Sequence, residues 1–274
     1  MKIKKKKNIF IIITVFLLVI ILIHVVSAFT FDKSIEYKNI SFHSEKIPSA
    51  LNGYQIAFIT DTHAMTRQEL QEVVQELNKL QLDLLLLGGD FPSSDGAAAR
   101  SMEELSQVVT VDGIYGVEGN HDNYLDLFAA MEQYSIKPLS NSGVYIRDRF
   151  YLAGVEDLWN RNPDIAAATK DAQAEDFVLL LSHNPDTTMI QDTTSVDLVL
   201  SGHTHGGQVT FFGIWAPELT LRKTITDYGQ RFMSGWAMSR DGVPVYISNG
   251  TGHLSAAPRV FARPQVILIT LVAD

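Results

Sequence analysis

Five short apolar runs in this chain are each followed directly by side chains that carry carboxylate, amide or imidazole groups. The runs are Ile56 to Thr60, Leu84 to Gly88, Gly113 to Val117, Phe177 to Leu181 and Val196 to Leu200. They are short and mostly β-branched or aliphatic, as expected of strands that are buried on both faces. Because the carboxyl ends of parallel strands meet in one crevice of an open α/β sheet, we expect these five distant positions to form a single site.

The polar residues that follow the runs form five motifs: Asp61-Thr62-His63, Gly89-Asp90, Gly119-Asn120-His121-Asp122, Ser182-His183 and Gly202-His203-Thr204-His205. Alternate residues of an extended chain point to one side, so Asp61 and His63 suit a single metal ion. Burial of Asp90 at the end of an apolar strand would be costly without compensating cations. Nitrogen and oxygen ligands without sulfur favour Mn, Fe, Zn or Co over copper(I) or an iron–sulfur cluster.

Helical patterns separate the apolar runs. Thr66-Arg67-Gln68-Glu69 has the form of a capping box, and an apolar stripe at helical spacing follows it. The stripe consists of Leu70, Val73, Val74, Leu77 and Leu80, which we expect to be core contacts. Further helices are predicted near Met102 to Val109 and around Tyr124 to Tyr134.

The second half of the chain carries mostly strand patterns. Gly143 to Arg147 and Phe150 to Val155 predict a hairpin, and Val243 to Ser248 and Val266 to Val272 predict two late strands. No internal repeat, linker or low-complexity segment interrupts residues 31–274. The pattern therefore predicts one α/β domain over 31–274, a two-sheet α/β sandwich flanked by helices.

The N-terminal 30 residues have a different character. Lys2 and the lysines at positions 4–7 precede an uncharged apolar stretch from Asn8 to Thr30, which is long enough to cross a hydrocarbon core of about 30 Å. Val26-Ser27-Ala28 resembles a signal peptidase site, but the apolar run exceeds the usual signal length of about 7–15 residues. We therefore expect residues 1–30 to be an uncleaved, single-pass membrane anchor with a cytoplasmic N-terminus and an extracytoplasmic body.

Charge and cysteine content exclude several classes of protein. The chain after residue 30 holds 17 Lys and Arg against 31 Asp and Glu, so nonspecific nucleic-acid binding is disfavoured and no nucleic-acid partner is expected. The absence of cysteine excludes disulfides, thiolate zinc sites and a cysteine nucleophile, and it does not distinguish between redox compartments.

Histidine placement strengthens the metal-site prediction. Five of the eight histidines lie in the motifs. A single histidine is more often structural, but the joint pattern reverses that expectation. All five motifs occur in the order found in the calcineurin-like metallophosphoesterase superfamily, which the chain resembles from Tyr54 to Leu271. The segment from Gly202 to Gln208 is particularly similar to the bacterial membrane-associated YkuE/YaeI-like branch.

The resemblance implies a four-layer metallophosphoesterase fold and a role for each matching residue. Asp61, His63 and His205 would hold one divalent metal ion, Asp90 would bridge, and Asn120, His183 and His203 would hold a second ion. His121 would contact the phosphate and protonate the leaving oxygen, and Asp122 would orient His121. The implied reaction is hydrolysis of a phosphomonoester or phosphodiester by a water that two cations (Mn, Fe, Zn or Co) activate.

The natural substrate is less constrained. Phe211, Phe212 and Trp215 follow the last motif, and they either contact a lipid or sugar phosphate or only pack, which the sequence leaves open. Arg222 and Lys223 in the same stretch carry the same ambiguity. The outward topology favours a lipid or cell-envelope phosphate ester. It counts against the alternative of a UDP-linked lipid pyrophosphatase, since related enzymes use cytoplasmic nucleotide substrates.

Two rival functions belong to other classes. A membrane-tethered binding protein that keeps the metals without turnover would not require His121, and it predicts metal binding without hydrolysis. A single-metal hydrolase predicts one tightly bound ion and little effect from loss of His183 or His203.

Overall fold

In the computed structural model, residues 2–91, 97–221, 225–253 and 258–274 are described. The seven helices of the described chain are α1 (Lys2–Phe29), α2 (Arg67–Leu77), α3 (Ala97–Leu105), α4 (Tyr124–Gln133), α5 (Ile165–Thr169), α6 (Thr187–Ile190) and α7 (Pro217–Leu221). Arg222 and Lys223, which the sequence marked as possible substrate contacts, lie outside the described residues.

Two six-stranded sheets form the body. The first has the order β1-β12-β2-β3-β4-β5, with β1 Glu36–Ser44, β2 Gln55–Ile59, β3 Leu84–Leu87, β4 Ile114–Gly116, β5 Lys137–Pro138 and β12 Gln265–Ala273. The second has the order β10-β11-β9-β8-β7-β6, with β6 Ser142–Arg147, β7 Phe150–Gly154, β8 Phe177–Leu181, β9 Leu198–Ser201, β10 Gly235–Met238 and β11 Pro244–Ile247. Strands β2 to β5 run parallel, as do β7, β8, β9 and β11. The predicted two-sheet α/β sandwich is confirmed.

Alternating side chains of the central strands fill separate cores. Ile56 and Phe58 of β2 point between the sheets, where they share a cluster with Leu179 of β8. Ala57 and Ile59, the intervening residues of β2, pack outward against α2, α3 and α4. A third cluster covers the outer face of the second sheet with residues of α5. Both faces of each central strand are therefore buried, which is why the sequence shows continuous apolar runs there.

The helix α2 follows the predicted pattern except at its end. The Thr66 side chain and the Glu69 side chain form the capping box. The first four residues of the predicted stripe are buried, but Leu80 is 41% exposed. The helix ends at Leu77, so Leu80 leaves the helical face, and its predicted core contact is wrong.

The next helix is displaced from its prediction. It spans Ala97–Leu105 instead of the predicted Met102 to Val109. Beyond it, the Asn78 side chain donates to Gln107 O (3.0 Å) and accepts from Val109 N (2.8 Å). These bonds satisfy the backbone outside a helix, so the chain can turn toward β4.

The N-terminal helix α1 is set apart from the body by its composition. The apolar side chains from Ile9 to Leu22 are mostly exposed, and the helix is long and apolar enough to span a bilayer. Near its end, Ser27 and Ala28 are buried against the body, while Phe29, the last residue of the helix, is exposed.

Candidate metal centre

The candidate ligands lie where strands of both sheets end. Asp61, Asp90 and Asn120 follow β2, β3 and β4 of the first sheet, and His183 and His203 follow β8 and β9 of the second. His63 and His205 occupy the next turns. The two sheets meet here, since the backbone N–H of His203 donates to both carboxylate oxygens of Asp61 at 3.1 Å. We call this set of seven residues the metal edge.

One part of the metal edge brings together Asp61, His63, Asp90 and His205. One ligand atom from each residue lies within 4.8 Å of the others. His63 Nε2 is 2.9 Å from His205 Nε2 and 3.5 Å from Asp90 Oδ2. His205 Nε2 is 3.3 Å from Asp61 Oδ1. Two imidazole nitrogens and two carboxylates converging on one point suit a divalent cation.

A second part of the metal edge shares Asp90 with the first. Here Asp90 meets His183 and His203, whose ligand atoms also lie within 4.8 Å of one another. Asn120 Oδ1 lies 2.7 Å from His203 Nδ1 and 3.2 Å from His183 Nε2. Asp90 Oδ2 is 3.3 Å from His183 Nε2 and thus borders both parts. These residues fit a pair of cations with a carboxylate between them.

Backbone carbonyls fix which nitrogen of each histidine faces the centre. His183 Nδ1 is 2.8 Å from Gly88 O, so its Nε2 faces Asp90. His203 has the opposite arrangement, because its Nε2 is 2.8 Å from Ile225 O and its Nδ1 faces Asn120. A ligating histidine usually donates its other ring N–H to such a carbonyl. The contacts outside the site therefore prepare each imidazole for a metal.

The charge states of three of the four histidines in the metal edge also suit cation binding. Burial lowers the pKa of His63, and burial together with the Arg259 charge lowers the pKa of His205 well below its usual value. Burial and the His183 charge lower the pKa of His203 to about 3. These imidazoles are neutral at pH 7, which is the form that binds a metal. Burial opposes a charge on His183, but nearby Asp90 raises the pKa of His183 above its usual value.

The backbone of the metal edge is strained. Asp61, His63, Asp90, His203 and His205 all have φ between 36° and 70°, the left-handed region. A non-glycine residue in such a conformation costs of order 1–3 kcal/mol and persists where the surrounding structure holds it, often at functional sites. The clustering of this strain on five candidate ligands sets the metal edge apart from an ordinary set of turns.

Two positions beside the metal edge require glycine, because the backbone there lies very close to a carboxylate. A Cβ on Gly202 would lie 2.1 Å from Asp61 Oδ2, and one on Gly119 would lie 2.2 Å from Asp90 Oδ1. No side chain fits at these distances. Glycine therefore lets the backbone pass directly behind the two carboxylates.

His121 lies at the open side of the metal edge. It is exposed, its backbone N–H donates to Asp90 Oδ1 at 2.8 Å, and its ring centroid is 5.3 Å from that of His63. With Trp159 and Gln208 it lines a cavity of about 210 Å³ that reaches Asp90. An imidazole in this position faces both the ligands and solvent.

Asp122 has different contacts from those predicted. Its carboxylate accepts from the backbone N–H groups of Asp90 (2.8 Å), Phe91 (2.9 Å) and Gly119 (2.8 Å). The contacts of this side chain in the structure are thus to backbone amides, not to His121. Asp122 ties the turn after β3 to the turn after β4, and it holds Asp90 and Gly119 in place.

Arg259 is a site residue that the sequence did not indicate. Its guanidinium is buried, donates to Gly252 O (2.6 Å), Ala262 O (3.0 Å) and His205 O (3.1 Å), and lies 3.3 Å from His205 Nδ1. Arginine is seldom buried, and no motif surrounds it in the sequence. Only the fold reveals that it supports His205.

Comparisons with known proteins agree with the geometry. Residues 54–207 match the model of a family described as calcineurin-like phosphoesterase. A Danio rerio transmembrane protein with a metallophosphoesterase domain is 29% identical, over 83% of this chain and 55% of the relative. An uncharacterized metallophosphoesterase of Helicobacter pylori is 26% identical, over 80% of this chain and 60% of the relative.

A third relative matches at nearly full length. The uncharacterized metallophosphoesterase YkuE of Bacillus subtilis is 25% identical, over 86% of this chain and 85% of the relative. The chain thus spans only a little over half the length of the Danio rerio and Helicobacter pylori relatives but most of YkuE. Since the family match covers more than half of the chain and includes all seven residues of the metal edge, the chain belongs to the calcineurin-like phosphoesterase family.

Proposed function

We propose that this protein is a two-metal-dependent phosphoric ester hydrolase that α1 holds at a membrane. The observation that carries the proposal is the position of Asp90, which belongs to both groups of converging ligands. One shared carboxylate between two nitrogen-rich groups supports a binuclear centre over the single-metal alternative.

The proposed ligand sets follow the two groups. Asp61, His63 and His205 would hold one ion, Asn120, His183 and His203 would hold the other, and Asp90 would contact both. When bound, two divalent cations polarise a phosphoryl group and make a water molecule more acidic. Mn, Fe, Zn and Co share the same ligand types, so the supply of these ions in the cell determines which of them is bound.

His121 is the proposed general acid. Its imidazole borders the cavity beside Asp90 and contacts solvent, so a leaving oxygen in that cavity can take its proton. Asp122 is proposed as a positioning residue, since it secures the backbone on both sides of the Asp90 and Asn120 turns.

Contacts at the end of α1 support its role as a retained anchor. The hydroxyl of Ser27 donates to Asp32 at 2.6 Å, and Phe261 N donates to the same carboxylate oxygen at 2.8 Å. Such contacts tie the helix to the body, as expected of an anchor and not of a cleaved signal. By the positive-inside rule, the N-terminal lysines favour a cytoplasmic N-terminus and a body outside the cytoplasm. A lipid or cell-envelope phosphate ester is then the accessible substrate.

The test is metal-dependent hydrolysis by the full chain in detergent. Bis-p-nitrophenyl phosphate and p-nitrophenyl phosphate are the substrates, and metal content is measured in parallel. We expect Asp90→Ala to lose bound metal and to lower turnover about a thousandfold or more, because bound ions contribute several kcal/mol to transition-state stabilisation. The matched control Asp192→Ala removes an exposed carboxylate elsewhere and should leave both readouts unchanged.

Two results would contradict the proposal. A fully metallated parent without turnover of either ester would favour the binding-protein reading. A parent that binds one ion, and that tolerates His183→Ala, would favour a single-metal hydrolase.

A further inference from the structure

An exposed apolar surface follows directly after the metal-edge motif that ends at His205. Ile214 and Leu221 are 79% and 77% exposed. With four neighbouring side chains they form what we call the apolar patch: Val209, Phe211, Phe212, Ile214, Trp215 and Leu221. A contiguous cluster of large exposed apolar side chains marks a binding surface more often than isolated ones do.

The loop beneath the apolar patch is ordered. Phe211 N donates to Trp215 O at 2.7 Å, and Gly213 N donates to the Thr210 hydroxyl at 2.8 Å. The Trp215 indole donates to the Thr220 hydroxyl at 2.9 Å. These bonds fix the outward direction of the apolar side chains, so folding alone does not bury them.

The apolar patch touches the outer end of α1. The ring of His24 lies 5.2 Å from Phe211 and 4.6 Å from Phe212, centroid to centroid. His24 is five residues before the helix end at Phe29, which corresponds to about 8 Å along the axis. Side chains at this depth reach the boundary between headgroups and hydrocarbon, where amphipathic segments insert about 5–10 Å. The apolar patch is therefore continuous with the surface that α1 presents to the membrane.

A residue of the body, Phe261, also contacts both α1 and the apolar patch. Phe261 packs 5.0 Å from His24 and 5.4 Å from Phe212. Its backbone N–H binds the buried Asp32 carboxylate, which also accepts from Ser27 of α1. The orientation of the patch relative to the helix end is thus fixed by hydrogen bonds and ring contacts.

The apolar patch also borders the cavity of the metal edge. Gln208 lines that cavity and directly precedes Val209 in the chain. Glu218 also lines the cavity, and it lies in the same short helix as Leu221. A molecule whose apolar chains lie in the bilayer beside the patch therefore has its headgroup near the cavity mouth.

We propose that the apolar patch is a second membrane contact that sets the cavity mouth against the lipid surface, so that the enzyme acts on a phosphate ester carried by a membrane lipid. The substrate part of this inference rests on the proposed hydrolase function. The membrane contact rests on the apolar patch alone. The two parts are tested separately below.

The membrane contact is tested without turnover. The chain contains no cysteine, so Ile214→Cys introduces a unique thiol for an environment-sensitive fluorophore. The labelled full chain is reconstituted in phosphatidylcholine vesicles that contain a lipid with a nitroxide near the top of its acyl chain. The control Val111→Cys labels a side chain of similar exposure just before β4, at the amino end of the strand and away from the metal edge. Strong quenching at position 214 and little at 111 is expected, and equal quenching at both positions overturns the inference.

The substrate part compares two esters in the same vesicles. We expect Ile214→Ser/Leu221→Ser to lower hydrolysis of dioleoyl phosphatidic acid about tenfold, since two exposed apolar side chains lose their membrane burial. Hydrolysis of soluble bis-p-nitrophenyl phosphate should not change, and Val109→Ser/Val111→Ser should affect neither substrate. An equal loss on both substrates overturns the lipid selection. Quenching at position 214 in a parent that hydrolyses no ester would refute the proposed function and leave the membrane contact standing.

Discussion

The metal edge and the apolar patch adjoin each other in the chain but differ in almost every physical respect. The metal edge is polar and mostly buried, and five of its seven residues have a left-handed backbone, against only Phe212 among the six of the apolar patch. The apolar patch is exposed, and its loop is satisfied by local hydrogen bonds. The junction between them is Gln208, which follows His205 and precedes Val209.

Each region is costly in water for a different reason. Burial raises the pKa of the Asp61 carboxyl, because a carboxylate without a cation is poorly solvated there. The patch exposes side chains such as Ile214 that prefer an apolar medium. Under the two proposals, neighbouring parts of one fold depend on different outside partners, cations for the metal edge and lipid for the apolar patch.

After the loss of a metal ligand, the largest effect is expected from His121→Ala, at the open side of the metal edge. General acid catalysis contributes about 10²- to 10⁴-fold, so kcat should fall by that range. The metal content should not change, because the side chain of His121 is not among the converging ligands. Turnover of diphenyl phosphate, whose phenolate is a poorer leaving group than p-nitrophenolate and so depends more on a proton donor, and metal analysis of the same sample check this. His43, an exposed histidine in β1, provides the control His43→Ala, and metal loss in His121→Ala would refute the assignment.

Arg259→Met tests whether the contacts of Arg259 with His205 strengthen metal binding, although Arg259 itself is not a candidate ligand. The change removes the donors to His205 O and Gly252 O, and loss of such outer contacts lowers metal affinity about 10- to 100-fold. Metal titration of the folded protein measures the affinity, and Arg240→Met, at an exposed arginine, is the control. Unchanged affinity in Arg259→Met would show that His205 keeps its position without this residue.

Asp122→Asn distinguishes positioning of the backbone from orientation of His121. The side chain of Asn has only one acceptor oxygen, whereas both oxygens of the Asp122 carboxylate accept from backbone N–H groups. The free energy of unfolding should therefore fall by about 1–3 kcal/mol. Chemical denaturation with and without metal measures it. A variant with normal stability and a lower kcat would instead support the orienting role that the family resemblance implied.

The smallest effect is expected in the apolar patch. Leu219 and Leu221 lie in the same short helix α7, but Leu219 is 2% exposed and Leu221 is 77% exposed. Leu219→Ala should lower the free energy of unfolding by about 2–5 kcal/mol, whereas Leu221→Ala should change it by less than about 0.5 kcal/mol. Thermal or denaturant unfolding in detergent compares them. A large loss in Leu221→Ala would mean that the patch serves folding and not membrane contact.

Much of the fold was readable from local patterns. The strand positions followed from apolar runs because both faces of the central strands are buried, and the Thr66–Glu69 capping box formed as predicted. The boundaries that failed depend on distant partners. α3 ends early because Asn78, nearly thirty residues away, binds the backbone after it. Leu80 lies beyond the helix that the periodic pattern extended.

The candidate site was predicted in its residue list but not in its contacts. The seven ligand positions are brought together, and their role as ligands stays a prediction for metal analysis. The sequence did not reveal Arg259, because a buried arginine carries no local signal. It also did not reveal that Asp122 binds backbone amides, since that depends on how two turns approach each other.

The sequence by itself determined the fold class, the family and the order of the motifs, because strand burial and ligand chemistry leave local and repeated patterns. It also determined the apolar helix at the N-terminus, since length and composition suffice for that. Only the tertiary structure decided which imidazole nitrogen faces the centre and that Asp90 is shared by both groups. Only it placed Phe211 and Phe212 against His24 of α1. Such contacts join residues far apart in the chain, and their geometry is set by packing between the two sheets and the helix end, which no local pattern records.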